Sequence, residues 1–91
     1  MPEARAEVAH ISSTVVRCRP ADMARLTAEI DAMEGAATVH GEQGKLIVIL
    51  EGPSSGTIGD LLTRISLMDG VISAAMVYEQ IEPVESLGEQ A

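Results

Sequence analysis

The sequence predicts an α+β domain of order β-α-β-β-α-β, in which a four-stranded antiparallel sheet carries both helices on one face. Three observations predict it. The chain has 91 residues, enough for one small domain and no second. Met33-Glu34-Gly35-Ala36 recurs as Met68-Asp69-Gly70-Val71, an offset of 35 residues that also carries the apolar run Ile11 to Val16 onto Leu46 to Glu51. Two repeats are too few for a solenoid, which needs at least about 3 stacked units; they read as two copies of one supersecondary unit closing on each other. Within each copy a β-rich run gives way to a helical apolar stripe and then to another strand. That order is the split βαβ, or ferredoxin-like, pattern.

Each element has its own signal. Ile11 to Arg17 is β-rich and ends at Cys18-Arg19-Pro20. Pro20 suits the first turn of a helix, where its missing N–H costs nothing, and Asp22 sits near the positive end of the helix dipole. Met23, Leu26, Ile30 and Met33 then recur at helical spacing, and Gly35 is the expected stop. Ala37 to Glu42 is a short strand, Gly41 to Gly44 a hairpin loop, and Lys45 to Glu51 the strongest strand of the chain. Gly52-Pro53 breaks that strand, and the serines after it offer an N-cap. Ile58, Leu61, Leu62, Ile65 and Met68 form the second helical stripe, which Gly70 ends, and Val71 to Gln80 is the last strand. The domain is predicted over 9–82, between a flexible N-terminus at 1–8 and an acidic flexible tail at 83–91.

Composition excludes several function classes. Six Lys and Arg against fourteen Asp and Glu give a formal charge of −8. Neither nucleic acid nor an anionic membrane surface attracts such a chain, whereas a basic partner is drawn to it. No apolar run approaches the roughly 20 residues of a membrane helix. Met1 to Val8 carries Glu3 and Glu7 and has no apolar h-region, so it does not read as a secretory signal. One cysteine, Cys18, rules out an intramolecular disulfide or a CxxC site and suits a reducing compartment. Its expected role is that of a small buried hydrophobe.

No catalytic or metal site is expected, and no cofactor. His10 and His40 are the only imidazoles, and neither has a partner at ligand spacing. The serines lack a GxSxG elbow, and the loop Gly52 to Gly56 is explained by an N-cap as well as by a phosphate site. An RNA-recognition domain shares the topology but stacks bases on sheet aromatics; the one aromatic here, Tyr78, is predicted to face the helices. A metal-carrying ferredoxin-like domain needs a cysteine pair in the first loop, where Cys18 stands alone. An acylphosphatase-like enzyme needs an Asn, and the chain has none.

The predicted topology leaves one sheet face without a helix. Alternation assigns Ser13, Val15 and Arg17 of the first strand to it. It adds Ile47, Ile49 and Glu51 of the third strand, and Ser73, Ala75, Val77 and Glu79 of the last. Ile72, Ala74 and Met76 are then the core set of that last strand. The result is an apolar strip with small neighbours and an acidic rim at Glu51 and Glu79, and such patches mark interaction sites. A homodimer burying the strip sheet to sheet is the structural alternative.

The order and spacing of four segments resemble the NapD family, the cytoplasmic assembly chaperones of periplasmic nitrate reductase. They are His10 to Val16, Met33-Glu34-Gly35, Gly44 to Val48 running into Leu50-Glu51-Gly52, and Asp69 to Tyr78. The resemblance covers about residues 9–82, and the closing segment is its most specific part. That family often has a His after the tyrosine, where this chain has Glu79. The resemblance implies a ferredoxin-like fold, no catalysis and a cytoplasmic location. It implies that the partner is the twin-arginine signal peptide of the nitrate reductase catalytic subunit precursor, held until the molybdenum cofactor is inserted. The expected assembly is a monomer or weak homodimer, with no nucleic acid and no stable membrane association. The competing function is an ACT-like dimeric regulatory module binding a small molecule at the first strand–helix loop, Cys18 to Asp22; that loop lacks the usual glycine. A plain dimerisation module is the third reading.

Overall fold

A computed structural model of the chain describes residues 8–83. Strand β1 runs Val8–Cys18, helix α1 Met23–Asp31, strand β2 Ala36–Glu42 and strand β3 Lys45–Gly52. Helix α2 runs Ser55–Ser66 and strand β4 Val71–Pro83. The four strands form one sheet of order β2-β3-β1-β4, and every neighbouring pair is antiparallel. This is the predicted β-α-β-β-α-β architecture. Val8 pairs with Pro83, so the sheet reaches one residue beyond the predicted domain at each end. The remainder of the expected flexible ends, 1–7 and 84–91, lies outside the described residues.

The two repeated segments build the same turn twice. After α1, Met33 N–H donates to the Ile30 carbonyl at 3.0 Å and Ala36 N–H to the Met33 carbonyl at 3.3 Å. After α2, Met68 N–H donates to the Ile65 carbonyl at 3.0 Å and Val71 N–H to the Met68 carbonyl at 3.1 Å. Gly35 and Gly70 occupy the left-handed region in these turns, with φ of 91° and 99°. That conformation is costly for any residue with a Cβ. A Cβ on Gly35 would also stand 2.7 Å from the Glu51 carbonyl oxygen.

Local chemistry sets the other boundaries. Pro20 opens a turn of 3-10 helix, Pro20–Asp22, that leads into α1. The Ser54 hydroxyl caps α2 by accepting from Thr57 N–H at 3.2 Å. The β2–β3 hairpin closes through Gln43 and Gly44, whose φ values of 51° and 84° are those of a two-residue turn matched to strand twist. With no Asn in the chain, Gln43 takes the position Asn usually fills.

From Ser12 to Cys18 in β1 and from Lys45 to Glu51 in β3 alternate residues are buried, and the buried set faces the helices. Val16, Leu46, Val48 and Leu50 pack there with Leu26 and Ile30 of α1 and Ile58 and Ile65 of α2. All eight are 1% exposed or less, so an aliphatic core with no aromatic residue is closed. Cys18 is buried in it, as expected, and burial pushes its thiol pKa up, with a smaller push from the nearby Asp22 carboxylate. The Ser12 and Thr14 hydroxyls, also buried, lie 3.4 Å apart.

Strand β4 departs from the predicted alternation in two places. Its pairing with β1 passes from Arg17↔Ser73 to Cys18↔Val71 and from Thr14↔Met76 to Ser13↔Tyr78. Ile72 and Val77 are the extra residues of these two bulges, and each bulge inverts the faces beyond it. Ile72, predicted in the core, is therefore 69% exposed, and Val71 packs on the core instead. Ala74 packs as predicted, whereas Met76 opposite buried Thr14 remains 37% exposed. Tyr78, predicted to face the helices, stands opposite Ser13 on the other side.

Candidate functional site

The sheet face away from the helices is built in four cross-strand rows. Registers place Glu51, Ile11 and Gln80 in the first, and Ala37, Ile49, Ser13 and Tyr78 in the second. His40, Ile47, Val15 and Ala75 form the third, and Glu42, Lys45, Arg17 and Ser73 the fourth. From Ile11 to Arg17 the face is about 20 Å long at ~3.3 Å per residue, and four strands make it about 15 Å wide. Its two middle rows are apolar apart from Ser13, His40 and the Tyr78 hydroxyl. These two rows cover roughly 200 Å² of sheet.

Eight of the ten residues predicted for this face meet on it. Ser13, Val15 and Arg17 lie on β1, Ile47, Ile49 and Glu51 on β3, and Ser73 and Ala75 on β4. Val77 does not join a row: it is the bulge residue and is 62% exposed. Glu79 is displaced. The bulge sets it opposite buried Ser12, on the helix side of the sheet. There its Oε2 accepts from His10 Nδ1 at 3.3 Å and from the Ser55 hydroxyl at 3.4 Å. Ser55 Oγ and His10 Nδ1 are themselves 3.4 Å apart. All three groups converge on one ring nitrogen and one carboxylate oxygen. A nucleophilic Ser-His-acid relay needs both ring nitrogens, so this contact ties the start of α2 to β1 and β4 and has no relay geometry.

Seven further residues share the rows, and Ile11 and Tyr78 are the large side chains of low polarity among them. Ile11 follows from the alternation argument by one more step along β1. Tyr78, 59% exposed, does not, because neither bulge carries a Gly or Pro to announce it. Its hydroxyl donates to Gln80 Oε1 at 3.3 Å, within the same face.

The charges of the face lie in its two end rows. Arg17 and Lys45 are direct cross-strand neighbours. Among the described residues neither makes an ion pair; Glu42, opposite Lys45 in the same row, instead lies 3.3 Å from His40 Nε2. Glu51 stands at the opposite end and likewise makes no ion pair there. It also lines a groove of about 850 Å³ that runs round the sheet end to the helix side, where Glu29, Glu34 and Asp60 add three more carboxylates and Arg64 one cation. Asp22, between Arg19 at 3.0 Å and Arg25 at 3.4 Å, belongs to the α1 entry. The Arg19 hydrogen bond, aided by Arg25, holds its carboxyl below the usual carboxylate range. Among the described residues no group of three His, Cys, Asp or Glu side chains could hold a metal ion. No helix among them is long and apolar enough to cross a membrane.

Fold and face together define a ferredoxin-like domain with one uncovered, largely apolar sheet surface. The chain belongs to the NapD family, whose model, described as NapD protein, matches residues 9–83. It is 45% identical over 80 residues to Chaperone NapD of Paracoccus pantotrophus, covering 84% of this chain and 68% of that relative. It superposes with a TM-score of 0.74 on the solution structure of the E. coli Tat proofreading chaperone protein NapD. That match is 23% identical and covers 79% of this chain and 78% of the other, and it shows the shared fold.

Proposed function

We propose that this chain is a cytoplasmic assembly chaperone. It binds the twin-arginine signal peptide of a periplasmic nitrate reductase catalytic subunit precursor and holds it from export until the molybdenum cofactor is inserted. The cofactor belongs to the client, and this chain carries out no chemistry. The observation that carries the reading is the apolar, helix-free face of Val15, Ile47, Ile49 and Ala75 in a chain of this family. A twin-arginine leader is basic at one end and apolar beyond it, which matches an apolar surface in a chain of formal charge −8.

Magnitudes separate affinity from selectivity. Covering the two apolar rows, roughly 200 Å² of sheet, at roughly 25 cal/mol per Å² is worth about 5 kcal/mol before association costs. An exposed arginine–carboxylate pair adds only about 0–1 kcal/mol. The apolar rows therefore supply the affinity, and the carboxylates supply on-rate and preference for arginine. Ser13, Ser73 and Ala75 are small enough to let a helical leader lie close against the sheet.

Calorimetric titration with a synthetic leader tests the reading, with a control in which both arginines are glutamine. One-to-one binding that weakens in the control supports it. Absence of binding to either peptide at several temperatures overturns it in favour of the ligand-binding dimer.

A further inference from the structure

The uncovered face is apolar in its middle and oppositely charged at its two ends. At one end Arg17 and Lys45 lie side by side, with Glu42 opposite Lys45 in the same row, so that row carries two cations against one carboxylate, and neither cation makes an ion pair among the described residues. At the other is Glu51, with Glu29, Glu34 and Asp60 beyond it round the sheet end beside a single cation, Arg64. Between them run Ile49 and Ser13, then Ile47 and Val15. The separation of about 20 Å is spanned by about 13 residues of helix at ~1.5 Å each. It therefore exceeds a Debye length of about 8–10 Å, and a bound peptide feels the two ends as separate fields.

We propose that this charge axis fixes the direction in which a peptide lies on the face. The basic end sits over the row of Glu51, Ile11 and Gln80, and the apolar stretch runs toward Ala75. Arg17 and Lys45 act against the reversed pose. The inference rests on the peptide-binding reading of the same face and adds polarity to it. Two arginines over Glu51 meet a carboxylate that makes no ion pair among the described residues, whereas over Arg17 and Lys45 they meet two cations against the single carboxylate of Glu42. Both poses cover the same isoleucines and valine, so apolar burial does not choose between them, and charge does. A helical leader adds a second bias of the same sign, because its positive dipole end is its basic N-terminal end.

The test uses the full chain, isotopically labelled, and a leader carrying a nitroxide at its basic end. Amide signals of Ile11, Glu51 and Gln80 are expected to broaden at least tenfold more than those of Arg17, Lys45 and Ser73. Moving the nitroxide to the apolar end inverts the pattern. The double variant R17E/K45E, which makes both ends acidic, is expected to broaden signals at both ends. Strongest broadening at Arg17 and Lys45, or equal broadening at both ends in the unaltered chain, overturns the proposal while leaving peptide binding intact. So does one-way broadening retained in R17E/K45E, because charge is then not the cause. Absence of binding overturns the peptide reading itself, and the polarity with it.

Discussion

Ser13 and Tyr78 face each other across β1 and β4 on the uncovered side of the sheet, one step past the bulge at Val77. The chain's only aromatic side chain thereby joins Ile49 in a row instead of packing under the helices. Tyrosine combines a large rigid apolar surface with one hydrogen-bonding tip, which makes it a frequent anchor of binding energy. Tyr78→Ala is expected to weaken leader binding about tenfold, ~1.4 kcal/mol. Because Tyr78 is 59% exposed, the thermal midpoint should change little. Calorimetric affinity and circular dichroism of the same sample check both halves.

Ile49 is the centre of the apolar rows. Placing a carboxylate there strands a charge under any apolar ligand, at a cost of about 3 kcal/mol or more. Ile49→Asp is expected to reduce leader affinity at least about 100-fold, with native circular dichroism. Undiminished affinity would remove the ligand from this face.

Glu79 and Glu51 separate the two sides of the sheet. Glu79 is held by His10 and Ser55 on the helix side, so Glu79→Gln is expected to leave leader association unchanged. The lost pair lowers stability by at most about 1 kcal/mol. Glu51→Gln is expected to slow association several-fold, with an effect that fades as salt is raised. Stopped-flow association rates at two ionic strengths distinguish them.

Glycines of opposite character test the turns. Gly35 has φ 91° and no room for a Cβ, so Gly35→Ala is expected to cost about 1–3 kcal/mol. Gly59 lies inside α2, and a Cβ there meets nothing within 4 Å. Gly59→Ala is expected to stabilise the protein by about 1 kcal/mol, a rise of roughly 4–8 °C in Tm. Thermal melts of the two variants check the signs.

The fold was legible because its signals are local and repeated. Met33-Glu34-Gly35 and Met68-Asp69-Gly70 announced the two helix ends, and those segments form the same hydrogen-bonded turn. Burial alternates from Ser12 to Cys18 in β1 and from Lys45 to Glu51 in β3, so the sequence pattern suffices to place Val15, Ile47 and Ile49 on the uncovered face. Strand β4 was misread at Ile72, Tyr78 and Glu79 because bulges depend on pairing across the sheet. Its residues are β-formers throughout, and no Gly or Pro marks the irregularity. Every residue beyond an unseen bulge is then assigned to the wrong side.

The claim most in need of a direct measurement is that the uncovered face holds the peptide. Backbone amide shifts of the labelled chain, followed during titration with the leader, read this without mutation. The largest shifts are expected on Ser13, Val15, Ile47, Ile49, Ala75 and Tyr78, with α1 and α2 nearly still. Shifts concentrated on the outer surfaces of α1 and α2, with these strand residues unmoved, would contradict it.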